Sequence, residues 1–349
     1  MINLFKAVMP EATLHRNFKI VRDEKIGYYP ARTVINELFH SHPQIDADFV
    51  QQFQTKGFDA RIWELYLAAS FKELEFSIEA KHVRPDFELL KSGRKIFVEA
   101  VTSNPAFNEQ LESLDTFLKK APKKDWDAII TQLREENVVR VASALTSKLK
   151  KKYWELDWVK GNSFVLAIET FHHSFALSLS DSSVVEYLYG FNNTWNHDSD
   201  GSLNIQTQLV TVHKKGDSSI PSNFFSLPGA ENISAVLFSN SGTIAKFNRM
   251  GVLSGLGNQR LTMVRQGMMY DHDPNASKPK EFKYIVGNDG PPENWAQGLS
   301  MHHNPNAKFP IDRALFPGIL HGYFDKEFHS FVPNFHPYQS STTNHIRKK

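Results

Sequence analysis

Residues 84–101 read RPDFELLKSGRKIFVEAV, and this run predicts two β-strands joined by a tight turn. A polar, glycine-containing segment in its middle separates two runs that are rich in apolar residues. In such a hairpin the beginning of the first strand lies beside the end of the second, so the side chains of Asp86 and Glu99 are expected to meet. Two carboxylates held together at a sheet edge offer the hard oxygen ligands that Mg²⁺ binds.

Glu99 interrupts an apolar run, residues 96–101, and this placement has two interpretations. A charge inside such a strand costs free energy unless it is paired or bound to a metal ion, which favours a functional carboxylate. Alternatively, the hairpin lies at the surface and Glu99 faces water. The pattern of apolar residues leaves both interpretations open.

Composition narrows the class of protein. The 349 residues, 41% hydrophobic and 22% charged, are typical of a globular chain. No apolar run approaches the roughly 20 residues that cross a membrane, and residues 1–6 lack the pattern of a signal peptide. The absence of cysteine excludes disulfides, thiolate metal sites and a cysteine nucleophile, and we expect a cytoplasmic protein.

The charge pattern permits a nucleic-acid partner without establishing one. The net charge of +2 is too small to indicate such a partner by itself. Lysines are concentrated, however, in residues 119–124, in residues 148–152 and at the end of the chain. Clusters of this kind can neutralise phosphates, although most basic runs are simply solvated faces.

The order of the elements indicates an α/β fold. The helices predicted from the apolar pattern cover residues 31–71 and 126–154, and the strands cover residues 74–80, 87–90, 95–102, 163–168 and 233–238. Helix, three strands, helix and strand is the order of a layered α/β protein. We therefore expect a mixed central sheet flanked by helices.

A polar segment suggests where the chain divides. Residues 192–201 are predicted to form a loop, which makes them the best candidate for a domain boundary. We expect a first domain over residues 1–195 with a helical N-terminal part. Residues 196–349 are expected to form a C-terminal α+β extension that packs on this core, and no motif in them predicts a function.

A helical Glu64, a Pro-Asp pair ending at Asp86 and a strand Glu99 resemble the acidic skeleton of the PD-(D/E)xK, or restriction-endonuclease-like, nuclease superfamily. The resemblance covers about residues 58–175. It implies a restriction-endonuclease-like core and a Mg²⁺- or Mn²⁺-dependent endonuclease that hydrolyses phosphodiester bonds in nucleic acid, with DNA as the expected substrate. In such a site Asp86 and Glu99 hold the metal together with the carbonyl of Ala100, and Glu64 completes the site.

One position departs from the pattern of the superfamily. The superfamily's Lys follows the second acid by two residues on the same strand face, and here that residue is Val101. Because a cation near the reacting phosphate stabilises the transition state, either another residue supplies it or the metal ion alone does this work. Lys148 in the following helix is the candidate, since Arg140, Ala144 and Lys148 share one helix face.

Two further alternatives to a catalytic Lys148 stay open. Lys148 can be an ordinary solvated helix residue, and the chain can be a catalytically silent nucleic-acid-binding protein on a nuclease-like fold. Lys151, Lys152 and Arg249 are weaker candidates for contacts with the substrate. The sequence leaves the oligomeric state undecided, with a homodimer as one option.

Three further segments contain residues of chemical interest. Glu169 with His172, and His302 with His303, offer carboxylate and imidazole groups, but their spacing favours structural roles. The glycine-rich residues 251–257 lack the Lys-Ser/Thr of a phosphate-binding loop. None of the three is assigned to the site.

Overall fold

The computed structural model describes residues 2–42, 47–104, 126–171, 176–215 and 218–348. The α-helices in this part of the chain are α1 (Arg16–Asp23), α2 (Tyr29–Ser41), α3 (Phe49–Gln54), α4 (Phe58–Glu73), α5 (Trp126–Leu149), α6 (Ser182–Tyr189) and α7 (Ile244–Gly251). The helical predictions for residues 31–71 and 126–154 are therefore confirmed in type. Within these described ranges, no helix combines the length and the apolar character needed to cross a bilayer.

The β-strands agree with the predicted ones and add others. They are β1 (Ser77–Glu79), β2 (Phe87–Lys91), β3 (Arg94–Ser103), β4 (Ser163–Thr170), β5 (Phe191–His197), β6 (Leu203–Leu209), β7 (Val212–Lys215), β8 (Ser218–Pro221), β9 (Ala235–Phe238), β10 (Leu261–Met269), β11 (Lys280–Ile285), β12 (Ser300–His303), β13 (Leu320–Asp325), β14 (Glu327–Phe331) and β15 (Pro337–Ile346). The five predicted strands correspond to β1, β2, β3, β4 and β9.

A mixed sheet of eight strands forms the centre of the molecule. Its order is β1-β2-β3-β4-β9-β12-β13-β14. β1, β2 and β3 are antiparallel, whereas β3, β4 and β9 run parallel. Helices cover both faces, so the expected mixed central sheet flanked by helices is confirmed.

The sheet continues across the boundary that the sequence suggested. Residue 195 lies inside β5, and the later strands β9, β12, β13 and β14 complete the sheet that β1–β4 begin. Residues 196–349 thus supply four strands of the central sheet rather than only an extension packed on the outside. Of these four strands only β9 is apolar along its whole length, which is why it alone was evident from an apolar run.

The two faces of the sheet are packed by different helices. On one face, Val98 and Val165 contact the cluster that contains Trp63 of α4, whose indole N–H donates a 3.1 Å hydrogen bond to the carbonyl of Ala167. On the other face, Phe97 and Val101 of β3 belong to the cluster of α5 and α6. Because side chains alternate along a strand, Glu99 points to the same side as Phe97 and Val101, towards α5.

The prediction of a loop at residues 192–201 is wrong for most of this segment. Its first part is β5, which pairs with β6 in an exposed two-stranded hairpin. One face of β5 carries Asn192, Thr194 and Asn196, and a strand of amides without apolar alternation has the composition of a loop. Beyond it, β11-β10-β15 form a separate three-stranded sheet.

Candidate active site

Asp86 and Glu99 lie side by side at the open end of the β2–β3 hairpin. The register pairs Phe87 with Val98, so the next residues outward, Asp86 and Glu99, oppose each other. The Asp86 carboxylate accepts a 2.7 Å hydrogen bond from the backbone N–H of Ala100. Its side chain is also within hydrogen-bonding reach of Glu99. The hairpin therefore brings the two predicted acids together.

The side chain of Lys148 reaches this pair from the last turn of α5. Its Nζ lies 2.5 Å from Oε1 of Glu99, and only 25% of the side chain is exposed. Leu145 and Leu149 anchor the same turn in the apolar cluster on this face of the sheet. The interpretation of Lys148 as a solvated residue is thus wrong. Its ammonium group brings to the two acids the positive charge that the apolar side chain of Val101 does not provide.

Burial and mutual repulsion govern the protonation of the two acids. Burial raises the pKa of Asp86. Burial also raises the pKa of Glu99, the negative charge of Asp86 raises it further, and Lys148 only partly offsets this. For Lys148, burial alone would lower the pKa, but the charges of Glu99 and Asp86 outweigh it and raise the pKa. The neighbouring cations therefore only partly offset the burial and crowding of the two carboxyl groups.

The donor set fits a hard divalent cation. Asp86 and Glu99 supply two carboxylates, and within a β-strand the N–H and C=O of one residue point to the same side. The carbonyl of Ala100 is therefore directed to the edge where its N–H binds Asp86. Over the described residues no three His, Asp or Glu side chains form a metal-binding group. Mg²⁺ commonly keeps several waters and uses one or two carboxylates, so two acids and a carbonyl suffice.

Glu64 does not complete a trio with the two acids. Its carboxylate pairs with the guanidinium of Arg61 at 2.7 Å, one turn earlier on α4. Arg61 in turn lies close enough to Asp86 to oppose the rise in its pKa. Glu64 thus touches the site through Arg61, and the expectation that it is a direct metal ligand is not met.

The predicted substrate contacts are placed very differently. Lys151 is exposed and lines a groove beside the site together with Arg84 and Trp158. Lys152 is also exposed, and its Nζ lies 3.5 Å from Glu155. Arg249 is buried, with only 3% of its side chain exposed, so the idea that it contacts a substrate is wrong.

Arg249 belongs to a buried charge cluster around one carboxylate, which we call the Glu293 cluster. Glu293 lies 2.8 Å from Lys246, 2.8 Å from Arg249 and 3.2 Å from Arg265. Burial would raise the pKa of Glu293, but the surrounding cations outweigh it and hold the pKa well below its usual range. The cluster joins α7 to the β10 sheet and has a structural role.

The remaining sequence candidates are structural or lie outside the described residues. His302 Nε2 is 3.4 Å from Asp181, and His303 Nε2 is 2.9 Å from Nδ1 of His321, all within buried surroundings. The glycine-rich residues 251–257 follow α7 as an irregular turn. The lysines of residues 119–124 and the His172-His173 pair lie outside the described residues.

Two residues of the site were missed by the sequence analysis. Arg61 could have been found, because it precedes Glu64 by three positions on a helix, which places both on one face. Tyr153 follows Lys152, where a left-handed φ of 50° marks the turn after α5. Burial raises the pKa of Tyr153, and the charge of Glu99 adds to this. No residue pattern in the sequence predicts this turn.

Asp59, in the first turn of α4, provides a test of burial on the other face of the sheet. Burial raises its pKa to about 6. The folded protein therefore binds this proton more tightly than the unfolded chain, so its contribution to stability is present at low pH and lost as the pH rises through about 6. We expect Asp59→Asn to raise the free energy of unfolding at neutral pH by roughly 1–3 kcal/mol, and to change it little near pH ~4.

Urea denaturation of both proteins at the two pH values measures this difference. Asp325→Asn, at an exposed acid of β13, is the control and should have no such pH-dependent effect. An effect of Asp59→Asn that is the same at both pH values would contradict the expectation.

No family model, curated protein or solved structure matches this chain. The chemistry open to the site therefore follows from its own geometry. That geometry consists of a buried and a half-buried carboxyl group at the end of a hairpin, a helix lysine in contact with the buried one, and a strand carbonyl at the same edge.

Proposed function

We propose that this chain is a metal-dependent nuclease that hydrolyses phosphodiester bonds in nucleic acid. The observation that carries the proposal is the contact of Lys148 Nζ with Glu99 beside Asp86, because it supplies from a helix the cation that Val101 lacks. The proposal includes a restriction-endonuclease-like core made of α4, β1–β4 and α5, acting on DNA in the cytoplasm. Its support is the order of these elements and the convergence of their acidic and basic side chains.

Each residue has a defined task in this proposal. Asp86, Glu99 and the carbonyl of Ala100 would hold Mg²⁺ or Mn²⁺, with Ala100 N–H fixing the orientation of the Asp86 carboxylate. The bound metal would polarise the phosphate and lower the pKa of a water molecule. Lys148 would place its ammonium group against the negative charge that develops on the phosphate in the transition state.

Arg61 and Glu64 would act on the metal ligand Asp86 and not on the substrate. The guanidinium of Arg61, fixed by Glu64 at 2.7 Å, contributes positive charge near Asp86 and opposes protonation of that acid. Keeping Asp86 ionised is what a metal ligand requires. Glu64 is in this sense a positioning residue.

A silent binding protein is the second candidate function. The direct Lys148–Glu99 ion pair favours it, because an ammonium group already neutralises the carboxylate that a metal would use. A protein of this kind would bind nucleic acid with a steep dependence on salt and leave it intact with any divalent ion.

Replacing Lys148 separates the two functions. We expect the wild-type protein to cleave DNA with Mg²⁺ or Mn²⁺ and not with EDTA. Lys148→Ala should lower turnover by about 10²-fold, because one charge that stabilises the transition state is lost. Lys148→Arg should restore only part of the activity, since the guanidinium has a different shape and reach. Single-turnover cleavage rates at saturating metal measure these effects.

The matched control is Lys150→Ala, which removes an exposed lysine from the same helix end. It should cleave at the wild-type rate, and calorimetric binding of Mn²⁺ should be retained in Lys148→Ala. Cleavage by Lys148→Ala at the wild-type rate would contradict the role of Lys148. Intact DNA with every divalent ion, despite binding, would establish the silent protein instead.

A further inference from the structure

A groove next to the two acids combines aromatic and basic side chains. It has a volume of about 530 Å³, within the roughly 300–1,000 Å³ of small-molecule sites. We call it the aromatic–basic groove, after the aromatic and basic side chains that line it: Lys81, His82, Arg84, Lys151, Tyr153 and Trp158.

The groove leads into the candidate active site. Arg84 precedes Asp86 by two residues, and Lys151 follows Lys148 by three. Tyr153 is near enough to Glu99 and Lys148 for both charges to act on its hydroxyl group. A ligand in the groove would therefore lie directly beside the two carboxyl groups.

Two rings in the groove are stacked and fixed in place. The rings of His82 and Trp158 are 4.5 Å apart between centroids and only 3° from parallel. The indole N–H of Trp158 donates a 2.8 Å hydrogen bond to the carbonyl of Arg84, and His82 Nδ1 lies 3.0 Å from the Glu88 carboxylate. Beside them the side chain of Val83 is 84% exposed. Two rings fixed in a stack, with the exposed apolar side chain of Val83 beside them, form a preformed platform for a flat ligand.

The positive charges at the groove include two without an acidic partner. Arg84 and Lys151 are exposed, and no Asp or Glu of the described chain forms an ion pair with either. Lys81, by contrast, is 2.7 Å from Glu79. Two unneutralised cations that line the same groove as an aromatic platform suit the phosphates of one nucleotide.

We propose that the aromatic–basic groove seats one unpaired nucleotide, its base stacked against the Trp158–His82 platform and its phosphates on Arg84 and Lys151. A base inside a duplex has both faces covered by its neighbours and cannot lie on a protein ring unless it is flipped out. The substrate of the site is therefore single-stranded nucleic acid, or a single-stranded end or gap. This inference rests on the proposed nuclease function for the role of the neighbouring acids.

The test is binding in EDTA, where no cleavage occurs. The probes are fluorescent oligothymidylate and oligouridylate, and a blunt duplex of the same length, each titrated with the full chain. We expect the wild-type protein to bind a single strand at least about tenfold more tightly than the duplex. Trp158→Leu should weaken single-strand binding by about 10- to 100-fold and abolish the preference, as the loss of one base–aromatic stack does. The two single strands distinguish DNA from RNA.

Trp195→Leu is the matched control, because Trp195 is a half-exposed tryptophan on the distant β5–β6 hairpin. It should bind like the wild type. Should Trp158→Leu not fold, Arg84→Ala and Lys151→Ala remain, since both side chains are exposed and the Trp158 hydrogen bond uses only the Arg84 backbone. Each should lower the slope of log affinity against log salt by about one.

The outcomes separate this inference from the nuclease proposal. Equal affinity for single strand and duplex, or undiminished single-strand binding by folded Trp158→Leu together with unchanged salt slopes, would overturn the groove assignment even if the protein cuts DNA. Single-strand binding that depends on Trp158, without cleavage under any metal, would support the groove and remove the nuclease.

Discussion

Asp86→Asn and Glu99→Gln are each expected to lower metal-dependent cleavage by about 10³-fold, the largest loss of activity among the substitutions considered. Each change removes a negative ligand from the pair that would hold the metal, and with it the charge stabilisation that the metal supplies. The amides keep the size of the side chains, so the hairpin should stay folded. Single-turnover cleavage with Mg²⁺ and Mn²⁺ measures the loss, and thermal melting checks the fold.

Asp325→Asn is the control, at an exposed acid near the end of β13 in the same sheet, and should cleave normally. Asp86→Asn and Glu99→Gln should still bind a single strand in EDTA, because the aromatic–basic groove lies beside the acids and does not require a metal. Undiminished cleavage by either variant would remove Asp86 and Glu99 from the active site.

Glu293→Gln is expected to lower the free energy of unfolding by about 3–5 kcal/mol. Glu293 is 2.8 Å from both Lys246 and Arg249 and 3.2 Å from Arg265, and all of these groups are buried. An amide would leave three cations facing one another without a counter-charge. Urea denaturation at neutral pH measures the change.

Glu281→Gln, on the exposed face of β11, is the matched control and should change stability by less than about 0.5 kcal/mol. Because the pKa of Glu293 is held below its unfolded value, its contribution is present above pH ~4 and lost as the pH falls further. A loss no larger than that of the control would mean that the cluster does not hold α7 to the β10 sheet.

The hairpin of the site was predictable because it follows from local rules. Strand alternation and a turn bring Asp86 to Glu99 from residues that are close in sequence. The contact between Lys148 and Glu99 spans 49 residues. It was expected from helical spacing together with the resemblance in the order of the elements, and not from local rules alone.

The rest depended on contacts between distant parts of the chain. In the sequence, Arg249 looks like an ordinary exposed basic residue. Its buried partner, Glu293, lies 44 residues later in the chain and becomes evident only in the fold. The platform of the groove joins Trp158 to Arg84 across 74 residues. Strand β12 was missed for the same reason, because its polar sequence shows no apolar pattern until its neighbours are known.

The place of β4 in the middle of the sheet has a consequence for how the chain is made. β4 is apolar on both faces from Phe164 to Ile168, and one of its two edges is covered only by β9. On the ribosome, the first 195 residues would emerge with this edge open, a template for pairing with another nascent chain. Until residues 235–238 leave the exit tunnel, this edge of β4 has no partner strand, and aggregation through it is a hazard.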